Sequence, residues 1–228
     1  MLAERYTGTV DDLGAVLGLQ EASVSHGRYY FAAKRIFDIA IASVALVALS
    51  PVFLIVAMLI RLTSPGNVIF AQQRCGQDGR LFLCYKFRSM VSNANWVLEN
   101  DDSLKANFTR EWKLVNDPRV TPIGKIIRKT SIDELPQLWN VLKGDMSIVG
   151  PRPVQPTELR ERYGHHAQMV SRAKPGMTGL WQVSGRSSLS YEQRVALDVQ
   201  YIYRRSMWFD LLIVLRTIPA LIIARGAH

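Results

Sequence analysis

Cysteine is nearly absent: Cys75 and Cys84 are the only two in 228 residues. One pair cannot build the disulfide framework of a small secreted fold, and it suits a reducing compartment. Histidine is also sparse, at four, and His165-His166 lacks the spacing of a zinc site. Aromatic residues make up 9% of the chain, with no zinc-finger, basic-zipper or aromatic-rich RNA-binding pattern, so nucleic acid is not an expected partner. There is no internal repeat and no low-complexity segment. A signal peptide is not expected either, because the first long apolar run begins near residue 39, exceeds a signal core in length and has no cleavage site after it.

Charge is missing altogether from residues 39–60, IAIASVALVALSPVFLIVAMLI. As one straight helix this run would extend about 33 Å, against a hydrocarbon thickness of about 30 Å. Length therefore favours a span. Ser50-Pro51 at the midpoint argues the other way. Pro51 has no N–H, so the Val47 carbonyl loses its helical donor, and a neighbour such as the Ser50 hydroxyl must replace it. Lys34 and Arg35 precede the run and Arg61 follows it, so no one-sided positive bias orients a span. Basic residues at both ends suit a helix–break–helix wedge that returns to the same anionic leaflet. On these grounds span and wedge stand level. A second apolar stretch, residues 207–223, is interrupted by Asp210, Arg216 and Pro219. It fits an interfacial helix or a core helix, not a comfortable span.

The formal charge of +9 is uneven. Residues 1–38 balance at −1, so the remainder carries +10. A basic body beside an apolar anchor suits anionic headgroups and phosphorylated substrates. Three regions are expected: a weakly patterned extension over 1–33, the membrane segment 34–62, and a body over 63–228 that ends in the second apolar stretch. Within the body, VIFAQQR, CGQDGR and LFLCYKFRSM read as a β-hairpin around a Gly-rich turn. Strand alternation puts Phe82, Cys84, Lys86 and Arg88 on one face, two cations among apolar neighbours. Residues 92–115 have a loose helical spacing, 157–172 and 190–205 read as helices, and PGMTGLWQVSGR reads as a Gly-punctuated loop.

TSIDELPQLWNVL reads as a helix start, with Ser131 as N-cap and Glu134 completing a capping box. That accounts for the pattern on stability alone. A chemical account is also open. Adjacent carboxylates at a positive helix end stay ionised, one can attack while the other holds a metal, and the same helix end attracts phosphate. Arg119, Arg128, Lys129 and Arg152 are near in sequence, the last stiffened between Pro151 and Pro153.

KRIFDIAIA, the Ser-Pro break, RCGQDGRLF, YKFRSM, NDPRVTPIGKIIRKTSIDELPQLWNVLKGDMSIVGPRP and KPGMTGLWQVSGR occur in this order. Together they resemble the bacterial sugar transferase family, monotopic phosphoglycosyl transferases that start glycan assembly on a polyprenyl phosphate. The resemblance spans residues 34–226 and is to the short, exopolysaccharide-initiating form. It implies an α+β fold, mostly helical and membrane-associated, with a re-entrant N-terminal helix broken at Ser50-Pro51, a small β-hairpin and interfacial amphipathic helices. It implies Asp133 as nucleophile toward a UDP-sugar, releasing UMP and forming an aspartyl phosphosugar that polyprenyl phosphate then attacks. Glu134 matches the Mg²⁺ ligand; Lys86, Arg88, Arg152 and Arg186 match phosphate-holding positions, and Asp198 a further acidic site position. The implied partners are a UDP-sugar, polyprenyl (undecaprenyl) phosphate and the inner leaflet of the bacterial cytoplasmic membrane, with the body facing the cytoplasm and homo-oligomers left open.

Overall fold

The computed structural model of the protein describes residues 27–111, 114 and 117–223. Residues 1–26 of the expected extension lie outside them. The first helix begins before residue 34: α1 runs Arg28–Ala48 and α2 runs Ser50–Thr63, with Leu49 at the break and a bend of 61° between them. Ser50 Oγ donates to the Val47 carbonyl at 2.8 Å, supplying the donor that Pro51 lacks. Pro51 lies in the first turn of α2, where a missing N–H costs nothing.

The hairpin forms as expected from strands β1 (Ile69–Cys75) and β2 (Leu81–Phe87), antiparallel with Gln72 opposite Cys84. Its turn needs left-handed backbone at Asp78 (φ 56°) and Gly79 (φ 75°). Two short helices follow, α3 (Ala94–Glu99) and α4 (Asp102–Glu111), then α5 (Pro122–Lys129) capped by Thr121.

The capping box at Ser131 does not form. Ser131 is left-handed (φ 57°) and makes no side-chain cap bond; residues Ile132–Glu134 make a single 3₁₀ turn, and helix α6 starts only at Gln137. Pro136 fits this start, since it has no N–H to continue the bonds of the 3₁₀ turn and its ring belongs at the beginning of a helix. Glu134 is thereby released from capping and turns to Lys86.

Beyond α6 (Gln137–Lys143) the Gly-punctuated stretch is more regular than expected. It contributes strand β4 (Gly176–Thr178), parallel to β3 (Ser147–Val149), and helix α9 (Leu180–Ser184). Helices α7 (Pro156–Tyr163) and α8 (Ala167–Ser171) lie between the strands, and α10 (Tyr191–Arg204) and α11 (Met207–Ile223) close the chain. The backbones at Gly150 and Gly176 approach so closely that a Cβ on Gly176 would lie 2.1 Å from the Gly150 nitrogen. The result is a mostly helical α+β fold with two small sheets among the described residues.

The main core joins Ala42 of α1, Leu138 and Val141 of α6, Ile148 and Val149 of β3, Tyr201 of α10 and Ile213 of α11. Helix α11 packs into the core on one side, with Phe209, Asp210 and Ile213 buried, and leaves Trp208, Leu215 and Ile218 exposed on the other. Polar bonds tie α1 to the body. Lys34 pairs with Asp210 at 2.7 Å, Arg35 donates to the Val141 and Leu142 carbonyls at 2.6 and 2.7 Å, and Asp38 accepts from Ser147 Oγ and Ile148 N, both at 2.9 Å. Lys34 and Arg35 are thus spent on protein partners, where the sequence had placed them against headgroups.

Candidate active site

The 3₁₀ turn after α5 presents Asp133 and Glu134 side by side beneath the hairpin. Lys86, near the end of β2, reaches Glu134 Oε1 at 2.6 Å. A cleft is lined by Arg74, Cys84, Lys86, Glu134, Gln137, Arg152, Pro153, Gly176, Met177 and Gln182. Three cations, one carboxylate and two amides make a site for an anion richer in charge than one carboxylate.

The two acids differ. Burial raises Asp133 to about 6, Lys86 opposes this, and the neighbouring Glu134 charge adds to it. Burial would raise Glu134 too, but Lys86 and Arg152 overcome it and pull that carboxyl down to about 2. An environment that separates two carboxyls in this way divides their roles. Asp133 is 8% exposed and adjoins the cleft through Glu134 and Lys86 without being among its lining residues.

Of the cations read from sequence, Lys86 and Arg152 come together here. Arg152 projects from the Pro151–Pro153 segment with its guanidinium 5.5 Å from the Trp181 ring. Arg88 goes elsewhere. It lies past the end of β2, so strand alternation no longer governs it, and it donates to Pro65 O, Ser64 O and Ser64 Oγ at 2.7–2.9 Å, holding the α2–β1 connection. Arg186 sits in a 3₁₀ turn beyond α9 with φ 51°, outside the cleft lining. Asp198 is fully buried in α10, where Tyr163 OH donates to it at 2.8 Å. It does not face the cleft, and its closeness to the Arg152 backbone N–H places it behind that segment. Arg119 chelates Asp117 through two bonds of 2.9 and 2.7 Å, while Arg128 donates to Ser89 Oγ and lies near Asp133.

Sequence reasoning missed Arg74, Gln137 and Gln182 in the lining, and Arg194 beside Trp181 outside it. Arg74 had a signal: in register it opposes Phe82, on the face that holds Cys84 and Lys86. It pairs with Glu158 at 3.5 Å, and burial followed by repulsion from Arg152 lowers its affinity for its proton. Arg194, stacked on Trp181 at 5.2 Å opposite no strand or motif, had none. Among the described residues no group of three His, Cys, Asp or Glu side chains could hold a metal alone. For Mg²⁺, which commonly takes one or two carboxylates and fills its shell with other oxygens and water, the cleft lining offers the Glu134 carboxylate.

A cation-lined cleft beside unequal carboxyls, on a body bound to a bent apolar helix pair, has the makings of an enzyme site for anionic, phosphate-bearing substrates. The chain belongs to the bacterial sugar transferase family, whose model matches residues 29–224. It is 47% identical over 200 residues to the exopolysaccharide production protein ExoY of Rhizobium meliloti, covering 86% of this chain and 88% of that protein. It is also 47% identical to the undecaprenyl-phosphate galactose phosphotransferase of Salmonella typhimurium, over 86% of this chain and 41% of that one. The UDP-glucose:undecaprenyl-phosphate glucose-1-phosphate transferase of Escherichia coli is 42% identical over 81% of this chain and 39% of its own length.

Proposed function

We propose that the protein transfers a hexose 1-phosphate from a UDP-hexose to undecaprenyl phosphate, releasing UMP, and so begins exopolysaccharide assembly. Family membership and the relatives' names support the reaction class, and galactose and glucose in those names support an unmodified hexose. The observation that carries the chemistry is the pairing of a buried Asp133, raised to about 6, with a Glu134 held ionised by Lys86 beside Arg74 and Arg152.

In this reading a carboxylate oxygen of Asp133 attacks the sugar-bearing phosphorus. The bond from that phosphorus to the bridging oxygen breaks, and UMP departs with the oxygen. A phosphate oxygen of the lipid then attacks the same phosphorus, the aspartyl–phosphorus bond breaks, and the carboxylate returns. Dividing the transfer this way lets an aqueous nucleotide and a lipid react without meeting. Lys86, Arg74 and Arg152 bind and orient the diphosphate. Glu134 would hold Mg²⁺, which when bound neutralises diphosphate charge and improves UMP as a leaving group. Arg88, Arg186 and Asp198 lie outside the cleft lining.

No single described helix is long and apolar enough to cross a membrane, but α1 and α2 pass that test together while bent by 61°. Val44, Val47, Leu54 and Leu62 along the pair are each at least 69% exposed. Such surface belongs in hydrocarbon. We read the pair as a re-entrant wedge, with both ends and the body on the cytoplasmic face of the bacterial inner membrane.

Purified protein with Mg²⁺, UDP-galactose or UDP-glucose and undecaprenyl phosphate should release UMP in a lipid-dependent manner. Asp133→Asn should abolish release and still fold. Equal steady-state UMP formation without lipid would identify a hydrolase instead; nucleotide binding without release would identify a passive binder.

A further inference from the structure

Charged residues are costly on a helix whose neighbours are apolar, and α1 carries three on one side: Lys34, Arg35 and Asp38. None is used by the reaction described above, and each has a protein partner. Asp38 is 2% exposed and accepts two bonds from the start of β3. Arg35 donates to the last carbonyls of α6, the end of a helix where a cation is favoured. Lys34 meets Asp210, which also accepts from Tyr201 OH at 2.8 Å; that hydroxyl in turn lies 3.1 Å from Val149 O.

The partners are the elements that carry the site. Helix α6 follows directly on the Asp133–Glu134 turn, and β3 leads directly into Gly150-Pro151-Arg152. Apolar packing alone would tolerate α1 sliding along these elements, because dispersion contacts are undirected. Hydrogen bonds to Val141 O, Leu142 O, Ser147 Oγ and Ile148 N are not tolerant: a shift of one helical turn, about 5.4 Å, breaks all of them. From Asp38 to the break at Leu49 the helix rises about 16 Å, roughly half the hydrocarbon thickness of about 30 Å. Register along α1 therefore sets how deep the break lies and how high the carboxylate turn stands above it.

We propose that Arg35 and Asp38 are positioning residues for the lipid-dependent half of the reaction. By fixing α1 in a single register against α6 and β3, they hold Asp133 at the height of the phosphate on a membrane-embedded acceptor. The proposal rests on the function proposed above, and the two half-reactions separate them. Attack on UDP-hexose uses a water-soluble substrate and needs no particular height; transfer onward does.

The test uses full-length protein in nanodiscs of phosphatidylethanolamine and phosphatidylglycerol, comparing the parent with Arg35→Gln and Asp38→Asn. The single-turnover UMP burst without acceptor should stay within about threefold of the parent, while transfer to undecaprenyl phosphate falls about 10- to 100-fold, the scale of an ångström-level misplacement. A short-chain acceptor soluble in detergent should restore transfer, because it can reach the site at any height. Equal loss of both half-reactions, no loss of either, or no rescue by the short acceptor overturns the assignment. So does loss of membrane retention with both half-reactions intact, which would make the pair headgroup anchors. Should Arg35→Gln fail to fold, Arg35→Lys, which keeps the charge but not the two-pronged bond, is read by the same criteria. A parent protein that gives no UMP burst refutes the proposed function itself.

Discussion

Asp133 gains from its burial what a nucleophile needs. A carboxyl raised to about 6 is mostly ionised at neutral pH yet holds a more basic oxygen than an aspartate near 3.8. Because the protonated form cannot attack, the UMP burst should decline as pH falls through about 6, and a single-turnover pH profile checks this. Linkage has the opposite sign for stability. Ionisation of Asp133 opposes folding fully above about 6 and not at all below 3.8, so Asp133→Asn should melt higher than the parent at neutral pH while losing activity. Burial also raises Asp198, to about 7, with Tyr163 and the Arg152 backbone opposing it. Its place is behind the site. Asp198→Ala should leave Tyr163 OH without its acceptor, cost about 1–3 kcal/mol and raise KM for the UDP-sugar, whereas Asp198→Asn keeps an acceptor and should do less. Thermal melts and steady-state kinetics on both variants check it. Lys86 and Arg152 were legible in the sequence because a strand face and a proline bracket point to them. Arg88 was misleading for a simple reason: β2 ends one residue before it.

At the scale of elements the Ser50-Pro51 break was legible down to its atoms, since the lost donor at Val47 O and its replacement by Ser50 Oγ follow from local chemistry. Pro51→Leu restores an N–H for that carbonyl and should let α1 and α2 run straighter. An N-terminal cysteine tag probed with a membrane-impermeant thiol reagent should become accessible from outside in part of the population; unchanged sidedness would show that Pro51 does not decide the topology. The second sheet was not legible. Three-residue strands leave no alternation to read, and β3 pairs with β4 across the whole of α7 and α8, with Gly150 and Gly176 packed backbone to backbone. The 3₁₀ turn was hidden similarly: Ser-x-x-Glu has the spacing of a capping box, and only the Lys86–Glu134 pair shows what Glu134 does instead.

The whole molecule presents two surfaces at once, a basic body and a set of exposed apolar side chains on α1, α2 and α11. Electrostatic attachment is screened within about 8 Å at physiological ionic strength, but apolar burial is not. High salt or carbonate should therefore leave the protein in the membrane pellet while detergent extracts it; release by salt would mean that the charge, not the wedge, holds it. By itself the sequence determined the apolar run and its break, the hairpin, the neighbouring carboxyls and the family, because each depends on residues close together in the chain. Tertiary structure alone decided which cations surround the carboxyls, that Arg74 joins them and Arg88 does not, and that Lys34, Arg35 and Asp38 face protein. Those choices depend on side chains as far apart as Lys34 and Asp210 meeting across a core, and desolvation and pairing act only once they have met.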